Sequence, residues 1–125
     1  MNVSRGFLVM GCLYLIAGIS IGMYMGASTD HTLVPAHAHI NLLGFTLMSV
    51  FGLVYRVVPA MAESGLATAH FWLHQVGTLL LVTMLVLLLT GRIAETAMFP
   101  VAPIAEVLVM LGVLSFAANL LRNGR

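Results

Sequence analysis

Four apolar runs fill most of this sequence, and each is about as long as a membrane-crossing helix. They cover roughly residues 7–26, 35–58, 66–89 and 101–121, and short polar or proline-marked breaks separate them. A helix needs about 20 apolar residues to cross the hydrocarbon core of a bilayer. The sequence therefore predicts an all-α fold, an integral membrane four-helix bundle, with one transmembrane domain over residues 1–125.

The composition supports the same fold class. Hydrophobic residues make up 61% of the chain and charged residues only 7%, whereas soluble domains carry about 25% charged residues. A net charge of +1 says nothing about nucleic acid, and no basic cluster suggests such a partner, so none is expected. The single cysteine, Cys12, excludes an intramolecular disulfide and disfavours a thiolate metal site.

The arginines predict the orientation of the helices in the membrane. Arg5, Arg56, Arg122 and Arg125 fall on one side of a four-helix arrangement, Arg92 falls on the other, and the chain has no lysine. The positive-inside rule then places both termini in the cytoplasm. The first run is about 20 residues long, against 7–15 for the apolar region of a signal peptide, so we expect it to be retained as a helix.

Two histidines stand at the start of the second run, in the stretch "PAHAHINLLGF". Residues two apart on a helix point about 200° from each other, so His37 and His39 cannot chelate one ion and would each serve a different neighbouring site. An ionisable side chain within a membrane helix is a functional candidate by default. Pro35 and Asn41 beside the pair favour ligation, and hydrogen bonding to water and lipid headgroups is the alternative.

A second pair of histidines lies in "HFWLHQ", early in the third run. His70 and His74 share one helix face, but two ligands alone make a weak metal site. The aromatic neighbours Phe71 and Trp72 favour an interfacial or hydrogen-bonding role. Counting residues along the helices places His39 and His74 about 15–20 Å apart in depth. The two histidine pairs are therefore predicted to form separate layers.

Glycines of the first run are spaced as G-x-x-x-G-x-x-x-G, at Gly18, Gly22 and Gly26. This spacing lets a second helix or a flat ligand approach the backbone closely. Packing against a helix is the simpler interpretation, and binding of a flat cofactor at Gly18 and Gly22 is the other.

Three further residues are weaker candidates. His31 belongs to the same side as His37. Arg92 has a guanidinium suited to a carboxylate such as a porphyrin propionate, although snorkelling to headgroups explains it equally well. Glu106 falls in the first turn of the fourth helix if Pro103 opens that helix. If the helix begins earlier, Glu106 is an acid within the membrane that could carry protons or bind a ligand.

The stretch "HTLVPAHAHINLLGFTLMSVFGLVYRVVP" resembles the second helix of subunit I in the haem-copper oxidase superfamily. The likeness is closest to the C-type oxidase and nitric-oxide reductase branch. "FWLHQVGTLLL" and "PVAPIAEVLVMLGV" resemble the third and fourth helices more loosely. The family's subunit has twelve helices in three similar groups of four, and this chain matches one group.

The resemblance implies a haem site. In the family this helix carries a histidine ligand of the low-spin haem, a role that transfers to His37 or His39. A homotrimer would rebuild the twelve-helix arrangement, with each haem b iron held by His37 of one copy and His39 of the next. Two axial histidines leave no open position, which favours electron transfer. No C-x-x-C-H motif is present, so the haem would be bound non-covalently.

The chain also departs from the family pattern. It lacks the histidine cluster for the active-site copper and the family's tyrosine–histidine pairing, so we expect no reduction of oxygen or nitric oxide by this chain alone. The resulting hypothesis is a cytochrome b-like electron-transport protein of the bacterial inner membrane, with a quinol or cytochrome partner. The alternatives are a copper or zinc protein using His31, His37 and His39, a cofactor-free assembly subunit, and a haem-based enzyme or sensor for oxygen or nitric oxide.

Overall fold

Four long helices make up the protein in a computed structural model that describes residues 1–125. Each is long and apolar enough to cross a membrane, so the predicted all-α fold with four such helices is confirmed. The largest difference from the predicted bounds is at the start of the first helix, which begins at Val3 rather than Phe7. The first to fourth helices are Val3–Ser28, Val34–Val57, Gly65–Leu89 and Val101–Asn123.

Local side chains set several helix ends. The Asn2 side chain accepts a hydrogen bond of 2.9 Å from the backbone N–H of Arg5 and so caps the first helix. The Ser64 hydroxyl accepts one of 3.1 Å from the N–H of Leu66 at the start of the third. Thr29 adopts the left-handed conformation, with a φ of 57°, and ends the first helix.

Short polar segments join the long helices. A helical turn at Pro59–Ala62 connects the second helix to the third, and a 3₁₀ turn at Glu95–Met98 precedes the fourth. Between the first two helices, Asp30 accepts hydrogen bonds from the hydroxyl and the backbone N–H of Thr32. These bonds favour the charged carboxylate and lower the pKa of Asp30 below its ordinary value.

The second helix is wound as a π-helix over Ile40–Thr46. In this segment the N–H of Leu47 donates to the carbonyls of Leu42 and Gly44. The carbonyl of Leu43, which an α-helix would pair with Leu47, accepts a hydrogen bond from another helix instead. π-Helical turns occur frequently at functional sites, and this one lies within a turn of His39.

The helices pack as two pairs, the first with the second and the third with the fourth. Glycine makes both contacts close. A Cβ atom added to Gly52 would lie 2.8 Å from Cγ of Leu8 on the first helix. One added to Gly77 would lie 2.8 Å from Cγ2 of Val109 on the fourth. Small residues allow this approach in a membrane, where helices associate by contact rather than by hydrophobic burial.

The two ends of the bundle differ in how their interior is filled. We call residues 1–14, 48–77 and 112–125 the terminal half, because both chain termini lie there, and residues 15–47 and 78–111 the far half. All the buried aromatic residues are in the terminal half, namely Phe7, Phe51, Tyr55 and Phe71. The hydrophobic core formed by eight buried residues lies there too. The far half buries mainly small or aliphatic residues.

Candidate functional site

His39 lies on the exposed surface of the second helix in the far half. Its Nδ1 is 2.8 Å from the carbonyl oxygen of Pro35, one turn earlier. A carbonyl oxygen can only accept a hydrogen bond, so Nδ1 carries the proton and donates it. The neutral ring then holds its lone pair on Nε2, at the outer tip of an exposed side chain.

His37 is half-buried and faces the first helix. A Cβ atom added to Gly22 would lie 3.1 Å from Cε1 of the His37 ring. The amide nitrogen of Asn41 lies 3.2 Å from Nε2 and 3.4 Å from Nδ1 of the same ring. His37 and His39 therefore point in different directions, as their spacing on the helix predicts.

The glycines of the first helix contact side chains of the second. Gly18 lies directly against the Asn41 amide, so that a Cβ atom there would overlap it, and Gly22 lies against His37. Gly26 has nothing within 4 Å of an added Cβ atom. Two of the three glycines thus provide helix packing, the simpler of the two interpretations. The role of Gly18 and Gly22 in cofactor binding stays a prediction, and their observed contribution is to position His37 and Asn41.

The weaker candidates are all exposed. Arg92 follows the third helix, and His31 lies in the loop before the second, both at the far end of the bundle. The fourth helix begins at Val101 rather than at Pro103, and no acidic residue lies in its first turn. The placement of Glu106 in that first turn was therefore wrong. Glu106 stands in the second turn, exposed on the surface of the helix.

His70 and His74 occupy the interior of the terminal half. Both are 0% exposed, and each makes one hydrogen bond, in accord with the hydrogen-bonding interpretation. The Tyr55 hydroxyl is 2.9 Å from Nδ1 of His70. Nε2 of His74 is 2.9 Å from the carbonyl oxygen of Leu43, which lies in the π-helical segment and is not paired with the N–H of Leu47.

Aromatic rings from three helices surround this pair. The His70 ring centroid lies 4.4 Å from that of Phe51, 4.9 Å from that of Phe7 and 5.3 Å from that of Phe116. The His74 centroid is 5.3 Å from that of Phe51 and 5.9 Å from that of His70. The pair is therefore the point at which the two helix pairs meet.

Each buried histidine retains one nitrogen without a partner. Nε2 of His70 and Nδ1 of His74 are buried and make no hydrogen bond. The same is true of Oε1 of Gln75 and Oγ1 of Thr78. All four atoms belong to the third helix, over a rise of about 12 Å. The great majority of buried polar atoms in proteins are hydrogen-bonded, so a group of four unpartnered ones on one helix requires an explanation.

Two contacts relate the depth of His74 to that of His39 along the second helix. The hydrogen bond from His74 reaches Leu43, four residues after His39, and the His74 ring packs against Phe51, twelve residues after His39. These intervals correspond to about 6 and 18 Å of rise, so His74 lies between those depths and the expected separation of 15–20 Å stays a prediction. The two histidine pairs remain separate in space because His39 points to the surface and His74 to the interior.

Two features of the site were not predicted. Tyr55 and His70 form a tyrosine–histidine pair across two helices, which no sequence motif signals because the partners are 15 residues apart. The π-helical segment was also missed, since its residues have the same apolar pattern as an α-helix. No group of three or more histidine, cysteine, aspartate or glutamate side chains is placed to hold a metal ion.

Comparison with known proteins adds no relative to these observations. No protein-family model, no curated protein and no solved structure matches this chain. The resemblance to the haem-copper oxidase superfamily therefore rests on the short motifs of the sequence, and function has to be argued from the geometry of the histidines.

Proposed function

We propose that this protein is a membrane cytochrome that binds haem b between neighbouring copies of the chain and transfers electrons. The observation that carries the proposal is the His39 ring. Its Nδ1 is held by the Pro35 carbonyl, and its Nε2 is presented on an exposed surface of the bundle.

The tautomer of His39 is the one that a metal ligand needs. A histidine ligand typically donates its second ring N–H to a backbone carbonyl or a carboxylate, which orients the ring and raises the basicity of the ligating nitrogen. The bond to Pro35 supplies that contact before any metal binds. Since the Pro35 carbonyl belongs to the same helical turn, the ring orientation is built into the second helix itself.

A second histidine ligand would have to come from another copy of the chain. His37 points toward the first helix and cannot reach an iron bound to His39 of the same chain. Closed symmetry gives every copy the same contacts, so that His37 of one copy can meet the site of the next. A trimer accords with the family resemblance. His37 becomes available when the Asn41 amide turns away from its ring nitrogens.

The surface around His39 suits such an approach. Ala38 is exposed next to it, and small residues allow close approach of a second helix or a flat ring in the membrane. The far half lacks the buried aromatic residues of the terminal half. Arg92, at the same end of the bundle, is an exposed cation suited to the propionate groups of haem.

The residues present therefore fit a haem with two histidine ligands. Iron held by these residues would exchange one electron and would leave no position open for a substrate. Electron transfer is thus the proposed role, with a quinol or a cytochrome as the partner. By the positive-inside rule we propose that the terminal half faces the cytoplasm of a bacterial inner membrane.

A visible absorption spectrum tests the proposal directly. The protein would be purified after expression with haem precursors, and its iron, copper and zinc contents measured. We expect a sharp Soret band and narrow α and β bands on reduction, with iron as the bound metal. Copper or zinc without iron would instead identify a metal-binding protein, and a spectrum without a Soret band would refute the haem site.

Three histidine variants assign the ligands. We expect His39→Ala and His37→Ala each to abolish six-coordinate haem, because every site uses one residue of each kind. His31→Ala is the matched control, an exposed histidine at the same end of the bundle, and should leave the spectrum unchanged. Retention of the six-coordinate spectrum in His39→Ala would contradict the assignment.

A further inference from the structure

The buried pair His70 and His74 has no part in the proposed haem site, although both side chains are 0% exposed and polar. An ionisable side chain within a membrane protein is typically functional, and histidine chains serve as proton relays. The pair also has two unpartnered ring nitrogens. Their protonation can be derived from the hydrogen bonds that the rings do make.

His74 has a fixed tautomer. Its Nε2 must carry a proton because it donates to the Leu43 carbonyl. Nδ1 of the neutral ring therefore holds a buried lone pair without a donor. This atom is a proton acceptor in the centre of the molecule.

Tyr55 connects His70 to the end of the bundle. The Tyr55 hydroxyl lies 2.9 Å from Nδ1 of His70. When this hydroxyl donates to Nδ1, the neutral His70 ring carries its own proton on Nε2. The centroids of the His70 and His74 rings are 5.9 Å apart. Transfer between their free nitrogens requires a rotation of one ring or a bridging water molecule.

Tyr55 also lines an open cavity at the terminal end. The cavity has a volume of about 610 Å³, and its other lining residues include Asn2, Ser4, Arg56 and Glu63. Such a polar, open cavity admits water. Tyr55 itself is only 1% exposed, and it is the residue that both lines this cavity and contacts the histidine pair.

We propose that Tyr55, His70 and His74 form a proton relay that is filled from the terminal-end cavity and ends at Nδ1 of His74. A proton from cavity water binds the Tyr55 oxygen as the phenol proton passes to Nδ1 of His70. The proton on Nε2 of His70 then passes to Nδ1 of His74. Tyr55 is left neutral and His74 becomes an imidazolium that still donates to Leu43.

Few other titratable groups affect this site. The first helix contributes Phe7, the second Phe51 and Tyr55, and the fourth Phe116. Tyr55 is the one titratable side chain among these neighbours, while Arg56 and Glu63 stand at the cavity. A proton on His74 therefore has no carboxylate beside it to balance its charge.

The balancing charge is the electron of the proposed cytochrome, and this step rests on the proposed function. His74 is hydrogen-bonded to the second helix at Leu43, four residues after His39, so an electron on a haem held at His39 would favour a proton on Nδ1 of His74 by Coulomb attraction. One proton would be taken up for each electron that an external one-electron reductant supplies. Reduction of the haem is thereby coupled to proton uptake from the terminal side.

The relay itself is tested without haem, in the haem-free protein labelled with ¹⁵N-histidine in lipid nanodiscs. We expect the ring N–H protons of His70 and His74 to exchange with water faster than the backbone amides of residues 70–78. Tyr55→Phe should slow this exchange about a hundredfold, the lower end of what a positioned proton-transfer group contributes. Thr83→Val, which removes an exposed hydroxyl on the same helix, is the control and should change nothing. Ring protons as protected as the amides would overturn the relay.

The coupling is tested on the haem-loaded protein through its midpoint potential. We expect the potential to fall by up to about 59 mV per pH unit, the value for one proton per electron. His74→Gln keeps a donor for Leu43 but removes the proton acceptor, so its potential should no longer depend on pH. Tyr55→Phe should retain the pH dependence and slow proton uptake after reduction, measured with a pH dye in vesicles.

The outcomes separate the two proposals. A wild-type protein without a haem spectrum refutes the cytochrome and its coupling, whereas fast ring exchange would still support the relay. A normal haem spectrum with a potential independent of pH refutes the coupling alone. Proton uptake from the far side of the vesicle membrane would refute the route through Tyr55.

Discussion

The same hydrogen bond occurs in the two halves of this protein with opposite consequences. His74 in the terminal half donates from Nε2 to the Leu43 carbonyl, and His39 in the far half donates from Nδ1 to the Pro35 carbonyl. Each bond fixes a tautomer and leaves a lone pair on the other nitrogen. That lone pair is buried among aromatic rings in His74 and exposed in His39. The surroundings, not the hydrogen bond, make one ring a candidate proton acceptor and the other a candidate metal ligand.

The two halves also differ in how their helices pack. The terminal half contains the aromatic core, which joins the two helix pairs around His70. The far half is held mainly within each helix pair, by glycine contacts such as Gly18 with Asn41. Stability therefore depends most on the terminal half, whereas the far half carries the surface to which the proposed second copy and haem would bind.

The largest effect on stability is expected for Phe7→Ala. The Phe7 ring packs against those of Phe51, Phe71 and His70, and removing a buried phenylalanine typically costs about 3–5 kcal/mol through the cavity that remains. Leu13→Ala is the matched control in the same helix, because Leu13 is 53% exposed. Reversible unfolding in mixed detergent, followed by circular dichroism, measures both. Equal losses in the two variants would contradict the proposed difference between core and surface.

Tyr55→Phe is expected to have a smaller effect on stability. The ring and its packing remain, but Nδ1 of His70 loses its hydrogen-bond partner in a buried site. An unsatisfied buried group costs about 1–3 kcal/mol. Tyr24→Phe is the control, since Tyr24 is 53% exposed on the first helix and should change little. A Tyr55→Phe protein as stable as the wild type would show that the bond to His70 contributes nothing.

The fold and the site differ in how much of them the sequence predicts. The four helices were predictable because a bilayer requires apolar runs of one length. The opposite directions of His37 and His39 were predictable because they follow from the helical repeat alone. Both properties are local, so neither depends on how the helices pack.

The burial of His70 and His74 could not be predicted in this way. The third helix is apolar on all sides, so its sequence does not indicate which face lies inside. Their depth relative to His39 depends on the register between two helices and on the π-helical segment at Ile40–Thr46. These features arise from contacts between distant residues, such as His74 with Leu43, for which no sequence pattern exists.

Alanine substitutions at two glycines of the far half, Gly18 and Gly26, should change the free energy of unfolding in opposite directions. In Gly18→Ala the new Cβ atom overlaps the Asn41 amide, and such overpacking typically costs about 1–3 kcal/mol. The gain in helix propensity of about 1 kcal/mol offsets only part of this cost. Gly26→Ala meets nothing within 4 Å and should be stabilised by that propensity alone. Unfolding curves of the two variants and the wild type measure these changes in stability. Destabilisation of both variants to the same extent would contradict the packing role of Gly18.

The smallest effect is expected at the far end, in the loop that Asp30 and Thr32 hold together. Hydrogen bonds from Thr32 stabilise the charged carboxylate and lower the pKa of Asp30, so the loop contacts are fully present above the unfolded pKa of about 3.9. They are lost as the pH falls through the lower folded value. A ¹³C NMR titration of the Asp30 carboxyl group should give a midpoint below about 3.9, with the Thr32 amide shift following it. Asp30→Asn retains an acceptor oxygen without a titrating group, so its Thr32 amide shift should stay constant. A midpoint at or above the unfolded value would show that this turn is not held by the carboxylate.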